Sequence, residues 1–178
     1  MGGFDFVKKI PLKSMVVCAM LTAVAVVLDR FVPALFTDTY KITFTFVPVV
    51  VAAILYGPWG GAAVWGLADL IGAILFPRGV YFPGFTVTSA LKGALFGWFL
   101  HKKDARFFPH AVVPTLVNNF VIGLAVDTLW IAILYSSKTY WGYFVGRIPQ
   151  FAAITAMNLI LIPLLEKFCG TLDKHVKL

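Results

Sequence analysis

Charge is what this chain of 178 residues has least of: Asp, Glu, Lys and Arg together make 13%, against 60% hydrophobic residues. A water-soluble domain of this size carries about a quarter charged residues on average. Water is therefore excluded as the main solvent, and the surplus apolar residues call for a bilayer. Acids are scarcer than bases, 8 against 15, for a net charge of +7. In a soluble protein that balance would point to nucleic acid. Here the cations fall mostly between apolar segments, the pattern of cytoplasmic loops, and no nucleic-acid partner is expected. Cysteine is reduced to Cys18 and Cys169, near opposite ends and outside any CxxC or Cys/His cluster. Neither a disulfide nor a metal site is expected.

The missing motifs narrow the function further. No GxxxxGK[ST] is present, so the chain has no P-loop for ATP. HExxH and GxSxG are absent, and no span holds two carboxylates at helical spacing. His101, His110 and His175 gather near one membrane face, far from the aromatic loops. An enzyme fits poorly, and no catalytic residue is named. A self-sufficient alternating-access transporter also fits poorly, because no clear internal repeat is visible. A binder that needs a partner remains.

What the sequence does have is apolar segments and aromatics. Six segments can be drawn, about 14–28, 44–56, 62–76, 85–100, 109–135 and 144–165, with the turn Gly57-Pro58-Trp59-Gly60-Gly61 between the second and third. The second is shorter than the roughly 20 residues a span usually needs, so tilting, bending or flanking residues must complete it. Ala23-Val24-Ala25 imitates a signal-peptidase site, but the segment is expected to be retained as the first membrane helix. The expected fold is an all-α, compact six-helix bundle in which residues 1–178 form a single membrane-embedded binding domain. Six spans put both termini on one side, with Lys8, Lys9, Lys13, Lys102, Lys103, Arg106, Lys167, Lys174 and Lys177. Arg30, Lys41, Arg78, Lys138 and Arg147 fall on the other, which predicts cytoplasmic termini. The 17 Phe, 5 Trp and 6 Tyr exceed what interface anchoring demands. Most Phe would meet lipid, yet the surplus suits a pocket that stacks on a flat ligand.

Lys92 sits inside the fourth segment, where a charge costs at least a few kcal/mol. It is not alone. At about 1.5 Å per residue, Asp29, Arg30, Lys92, Asp127, Arg147 and Gln150 fall in the outer half of the bundle, and Asp69, Asn118 and Asn119 nearer mid-depth. Helical spacing aligns Phe85, Thr88 and Lys92; Asn119, Gly123, Asp127 and Trp130; and Arg147, Gln150 and Asn158. These stripes predict an outward-facing cavity, with Arg30, Phe85, Thr88, Lys92, Asn119, Asp127, Trp130, Arg147 and Gln150 as candidate ligand-binding residues. The competing reading pairs them with one another, for instance Lys92 with Asp69 or Asp127, as bundle glue. Pro77, Gly79, Pro83 and Gly84 punctuate an aromatic loop, 78–85, that could close over a ligand. On the first helix Ala19 and Ala23 form an AxxxA pattern, a groove for a helix of this bundle or of a partner.

The stretch from Lys41 to Gly97 resembles the substrate-binding S components of energy-coupling factor (ECF) vitamin transporters. The resemblance lies in the Gly57-Pro58-Trp59-Gly60-Gly61 turn, the Gly66 and Asp69 helix that follows, and Phe82-Pro83-Gly84-Phe85-Thr86, in that order. Folate-specific members look most similar, through Arg30 and Lys41-Ile42-Thr43-Phe44-Thr45-Phe46-Val47-Pro48. The resemblance implies a six-helix bundle in the bacterial plasma membrane that binds its vitamin from outside. It implies a transmembrane coupling subunit and two cytoplasmic ATPase subunits as partners. ATP is then hydrolysed by the partners, and this chain needs no cofactor of its own. It also implies that Ala19 and Ala23 face the coupling subunit. A flat pterin edge could meet Asn, Asp, Gln and Thr side chains, and a glutamyl tail could meet Arg30, Lys92 or Arg147. Another vitamin such as pantothenate, or a membrane scaffold without a ligand, is the alternative.

Overall fold

The structure, a computed structural model, describes residues 11–31, 33–36, 41–77, 79–101, 109–135 and 139–176. Helix α1 covers Leu12–Arg30. Its inner face, Thr22, Ala25 and Val26, is buried, and its outer face is open. Strands β1 (Pro33–Phe36) and β2 (Lys41–Thr43) then pair antiparallel, Phe36 opposite Lys41. This short pair is an addition to a fold that is otherwise all-helical, as the sequence leads one to expect. Pro33 disfavours continuing the helix and suits a strand start. The β-branched Ile42 and Thr43 favour extended backbone. The remaining described elements are helical.

Helix α2, Phe46–Leu75, is two arms joined at Gly57. A straight helix of 30 residues would hold its ends about 45 Å apart. Instead Phe46 and Ala73 line the same cavity, so the chain reverses direction. Gly57 makes the reversal with φ 73° and ψ −160°, a conformation that L side chains rarely adopt. Pro58 has no N–H to give the Ile54 carbonyl. His101 Nδ1 donates to that oxygen instead, at 2.8 Å. The first arm is apolar all round. Phe46, Val50 and Ala53 pack with Phe96, Leu100, Ala111 and Ile162, while Val49 and Ala52 pack with Ala25, Val26, Val64 and Ala68.

Helix α3, Pro83–Leu100, runs antiparallel to the second arm. The two backbones touch where Gly61 meets Gly93, and a Cβ on either would collide with the other's carbonyl. Small residues permit such close approach in membranes. The chain then forms α4 (Pro109–Leu116), a π-helical segment (Val117–Val126) and α5 (Asp127–Leu134). Helix α6, Tyr140–Val176, completes the fold. Four of the described helices are long and apolar enough to cross a membrane: Leu12–Arg30, Phe46–Leu75, Ala111–Leu134 and Tyr140–Thr171. Their outward residues, such as Met20, Ile74, Val121 and Ile160, are large and apolar. The topology cations Lys8, Lys9, Lys102, Lys103, Arg106, Lys138 and Lys177, and Arg78 of the aromatic loop, lie outside the described residues.

Candidate ligand-binding site

A cavity of about 460 Å³ opens among α1, β2, both arms of α2, the 79–82 loop, α3, the π segment, α5 and α6. Along α6 it is lined from Arg147 to Asn158, about 16 Å of helix. Three tiers of polar groups line it.

The outer tier joins α1 to both ends of α2. Arg30 Nε lies 3.1 Å from Asp29 Oδ2, and Arg30 Nη1 donates to the Phe76 carbonyl at 3.1 Å. Thr45 donates to Asp29 Oδ1 at 3.2 Å and shares a 2.9 Å bond with Thr43. On the opposite wall Thr86 donates to Asp69 Oδ2 at 2.8 Å, with the Tyr81 hydroxyl 3.3 Å from Thr86 Oγ1.

The middle tier is ionic. Lys92 Nζ meets Asp127 Oδ2 at 2.5 Å, both side chains only 13% exposed. Of the two carboxylates open to Lys92 on sequence grounds, helix packing thus delivers Asp127. The ammonium also stands 6.0 Å from the Trp65 ring, and Asn118 donates to the Lys92 carbonyl at 3.0 Å. Arg147 Nη1 donates to Thr128 Oγ1 at 2.9 Å, and the guanidinium lies 5.1 Å over Phe151.

The inner tier is neutral. Asn119 donates to Thr155 Oγ1 at 2.9 Å, and Asn158 turns a buried, unpartnered amide oxygen into this region. The π segment lets adjacent Asn118 and Asn119 engage different helices, α3 and α6. Insertions of this kind recur at functional sites. Gly123 lies directly against Phe151, so a side chain there would push α6 away.

Of the residues singled out in the sequence, Arg30, Phe85, Thr88, Lys92, Asn119, Asp127, Arg147 and Gln150 line the cavity. Trp130 stands outside the lining. Its ring packs 5.2 Å from Phe82, and its indole N–H is buried without a partner. It therefore backs the aromatic loop instead of facing the cavity. Trp65, Phe151, Ile154, Thr43 and Thr45 also line it and were not singled out. Phe151 is one turn from Arg147, so the stripe drawn there could have been extended to it, and Trp65 is one turn from Asp69, from which a further stripe could have been drawn. Among the described residues no group of three His, Cys, Asp or Glu could hold a metal.

The arrangement can sandwich a flat ring between aromatic and aliphatic walls, hydrogen-bond its edge and receive a negative charge. Comparison with known families identifies the lineage. The family model for the ECF transporter substrate-specific component matches residues 13–166. The chain belongs to this family. The S component is similar to two curated proteins called folate transporter FolT. The one from Clostridium novyi (strain NT) is 27% identical over 83% of this chain and 84% of the relative. The one from Leuconostoc mesenteroides is 26% identical over 88% of this chain and 82% of the relative. Among solved structures, a crystal structure of FolT bound with folic acid superposes with a TM-score of 0.80 at 30% identity. That match covers 89% of this chain and 94% of the other. The protein is therefore a membrane-integral subunit of a transporter, not an enzyme.

Proposed function

We propose that this S component binds folate in the 460 Å³ cavity from outside the cell. The observation that carries the reading is the cavity's make-up: aromatic walls from Trp65, Phe82, Phe85 and Phe151, a neutral amide tier, and cations above it. A pterin matches the first two and a glutamyl tail the third. Pantothenate has no ring for those walls, and a scaffold has no need of the cavity. Similarity to the folate-bound FolT structure supports the same choice. Arg30, Phe85, Thr88, Lys92, Asn119, Asp127, Arg147 and Gln150 are the proposed ligand-binding residues, with Trp130 supporting the loop over them.

The same reading gives six spans: α1, the two arms of α2, α3, the α4–π–α5 rod, and α6. Both termini then lie in the cytoplasm, as the basic residues favour. The proposed setting is a bacterial plasma membrane, with a transmembrane coupling subunit and two ATPase subunits that hydrolyse the ATP. Ala19 and Ala23 are exposed on α1 and so are available to that coupling subunit.

The test is native mass spectrometry of the detergent-purified chain, followed by folic acid titration read by tryptophan fluorescence. A folate mass released unchanged, and saturable quenching by folic acid but not pantothenate, are expected. Pantothenate retained in place of folate, or no vitamin bound, would overturn the reading.

A further inference from the structure

Three cations line the cavity, and they are not equivalent. Arg30 is held by Asp29 and by the Phe76 carbonyl. Lys92 is held by Asp127. Arg147 is only 9% exposed, yet its hydrogen bond goes to the neutral Thr128 hydroxyl and its flat face lies over Phe151. Its Nε is buried without a partner. Among the described residues no carboxylate forms an ion pair with it. Asp127 attracts it through space but gives its ion-paired contact to Lys92, and Asp69 accepts from Thr86 on another wall.

A guanidinium inside a membrane bundle is stabilised when an anion meets it in the plane of its fork. Here Nη1 is tied to Thr128 and one face is covered, which leaves the edge that carries Nε. That edge can receive a carboxylate through paired N–H donors. We infer that Arg147 is the carboxylate anchor of the cavity, and that the ligand's acid group binds beside it, inside the bundle. Arg147 lies seven residues into α6, about 10 Å along the helix from its start. Arg30, the basic residue of the outer tier, is already matched and does not supply this anchor. Lys92 and Asp127, in the same tier, are tied to each other and do not take the acid. The inference borrows its ligand from the folate reading, but the residue and the chemical class stand without it.

The test compares folic acid with its dimethyl ester, which keeps the pterin and linker but carries no acid. Wild-type protein, Arg147→Gln and Arg147→Lys are titrated in detergent after gel filtration and thermal melting establish folding. Wild type should bind the acid at least about tenfold more tightly than the ester. Arg147→Gln should bring the acid down to the ester's affinity while the ester changes by less than about twofold. Arg147→Lys, which keeps the charge but not the fork, should recover part of the preference. Equal loss of acid and ester in a folded Arg147→Gln variant would overturn the anchor, as would an undiminished preference. Should Arg147→Gln fail to fold, Arg147→Lys decides alone, and an unchanged preference there overturns the anchor. If wild type ignores folic acid, the pair becomes pantothenate and its alcohol, panthenol. An acid preference that Arg147→Gln abolishes keeps the anchor and removes folate as the ligand. No acid preference in either pair overturns the anchor itself.

Discussion

Lys92 and Asp127 stand on helices whose other faces expose large apolar residues, and each stabilises the other at 2.5 Å. Breaking a buried pair by removing one partner costs about 3–5 kcal/mol, because the remaining charge is left uncompensated. Lys92→Met is therefore expected to lower the melting temperature sharply, and Lys92→Met with Asp127→Asn to recover much of the loss. Thermal melting of the single and double variants in detergent checks this; equal melting of both would dissolve the pair's structural role. The position of Lys92 and the depth of Asp127 were legible in helical spacing. Their partnership was not, since Asp69, nearer mid-depth, stood as an equally open partner and only the packing of α3 against α5 decides between them. Trp130 misled for a related reason. Its spacing from Asp127 is right for one α-helical face, but the ring packs against Phe82, so the indole ends up behind the loop and outside the cavity.

Elements were legible where a residue has a single conformational use. Gly57 and Pro58 announce the reversal of α2, because only glycine tolerates the one backbone state and only proline lacks the other's N–H. The π segment and the β1–β2 pair were not foreseen. No residue type encodes the former, and the latter depends on a partner strand. The α2–α3 contact yields a sharp expectation. Gly93→Ala should destabilise the fold by about 1–3 kcal/mol, the usual range for overpacking, because its methyl meets the Gly61 backbone. Gly146→Ala, which meets nothing within 4 Å, should be neutral or slightly stabilising on helix propensity. Melting curves of the two variants compare them directly. The aromatic loop yields another. Val80 is 68% exposed at the cavity rim, so a fluorophore there should change emission when folic acid saturates the protein. An unchanged signal would mean that the loop does not move on binding.

For the molecule as a whole, the ligand cavity and the open face of α1 lie on different surfaces. Thr22, Ala25 and Val26 point inward, while Ala19 and Ala23 point outward. Binding and assembly should therefore separate. Ala19→Trp with Ala23→Trp is expected to leave folic acid affinity within about twofold. The same change should abolish co-purification with the coupling subunit and ATP-driven uptake. Lost affinity would place these alanines in the bundle's own packing, and normal uptake would place the coupling surface on other helices.

The Lys92–Asp127 contact also bears on how the chain is made. The two partners are 35 residues apart, and at ordinary synthesis rates Asp127 leaves the ribosome about 2–7 s after Lys92. During that interval α3, which is not among the four described helices long and apolar enough to cross a membrane, lacks the carboxylate that pairs with its lysine in the folded chain. It has to be held at the insertion machinery, or lie against the second arm of α2, until the acidic half of the pair arrives. A cysteine introduced into α3 of a Cys18→Ser chain should thus be reachable by water-soluble thiol reagents on a ribosome stalled before Asp127, and no longer on one stalled beyond α5.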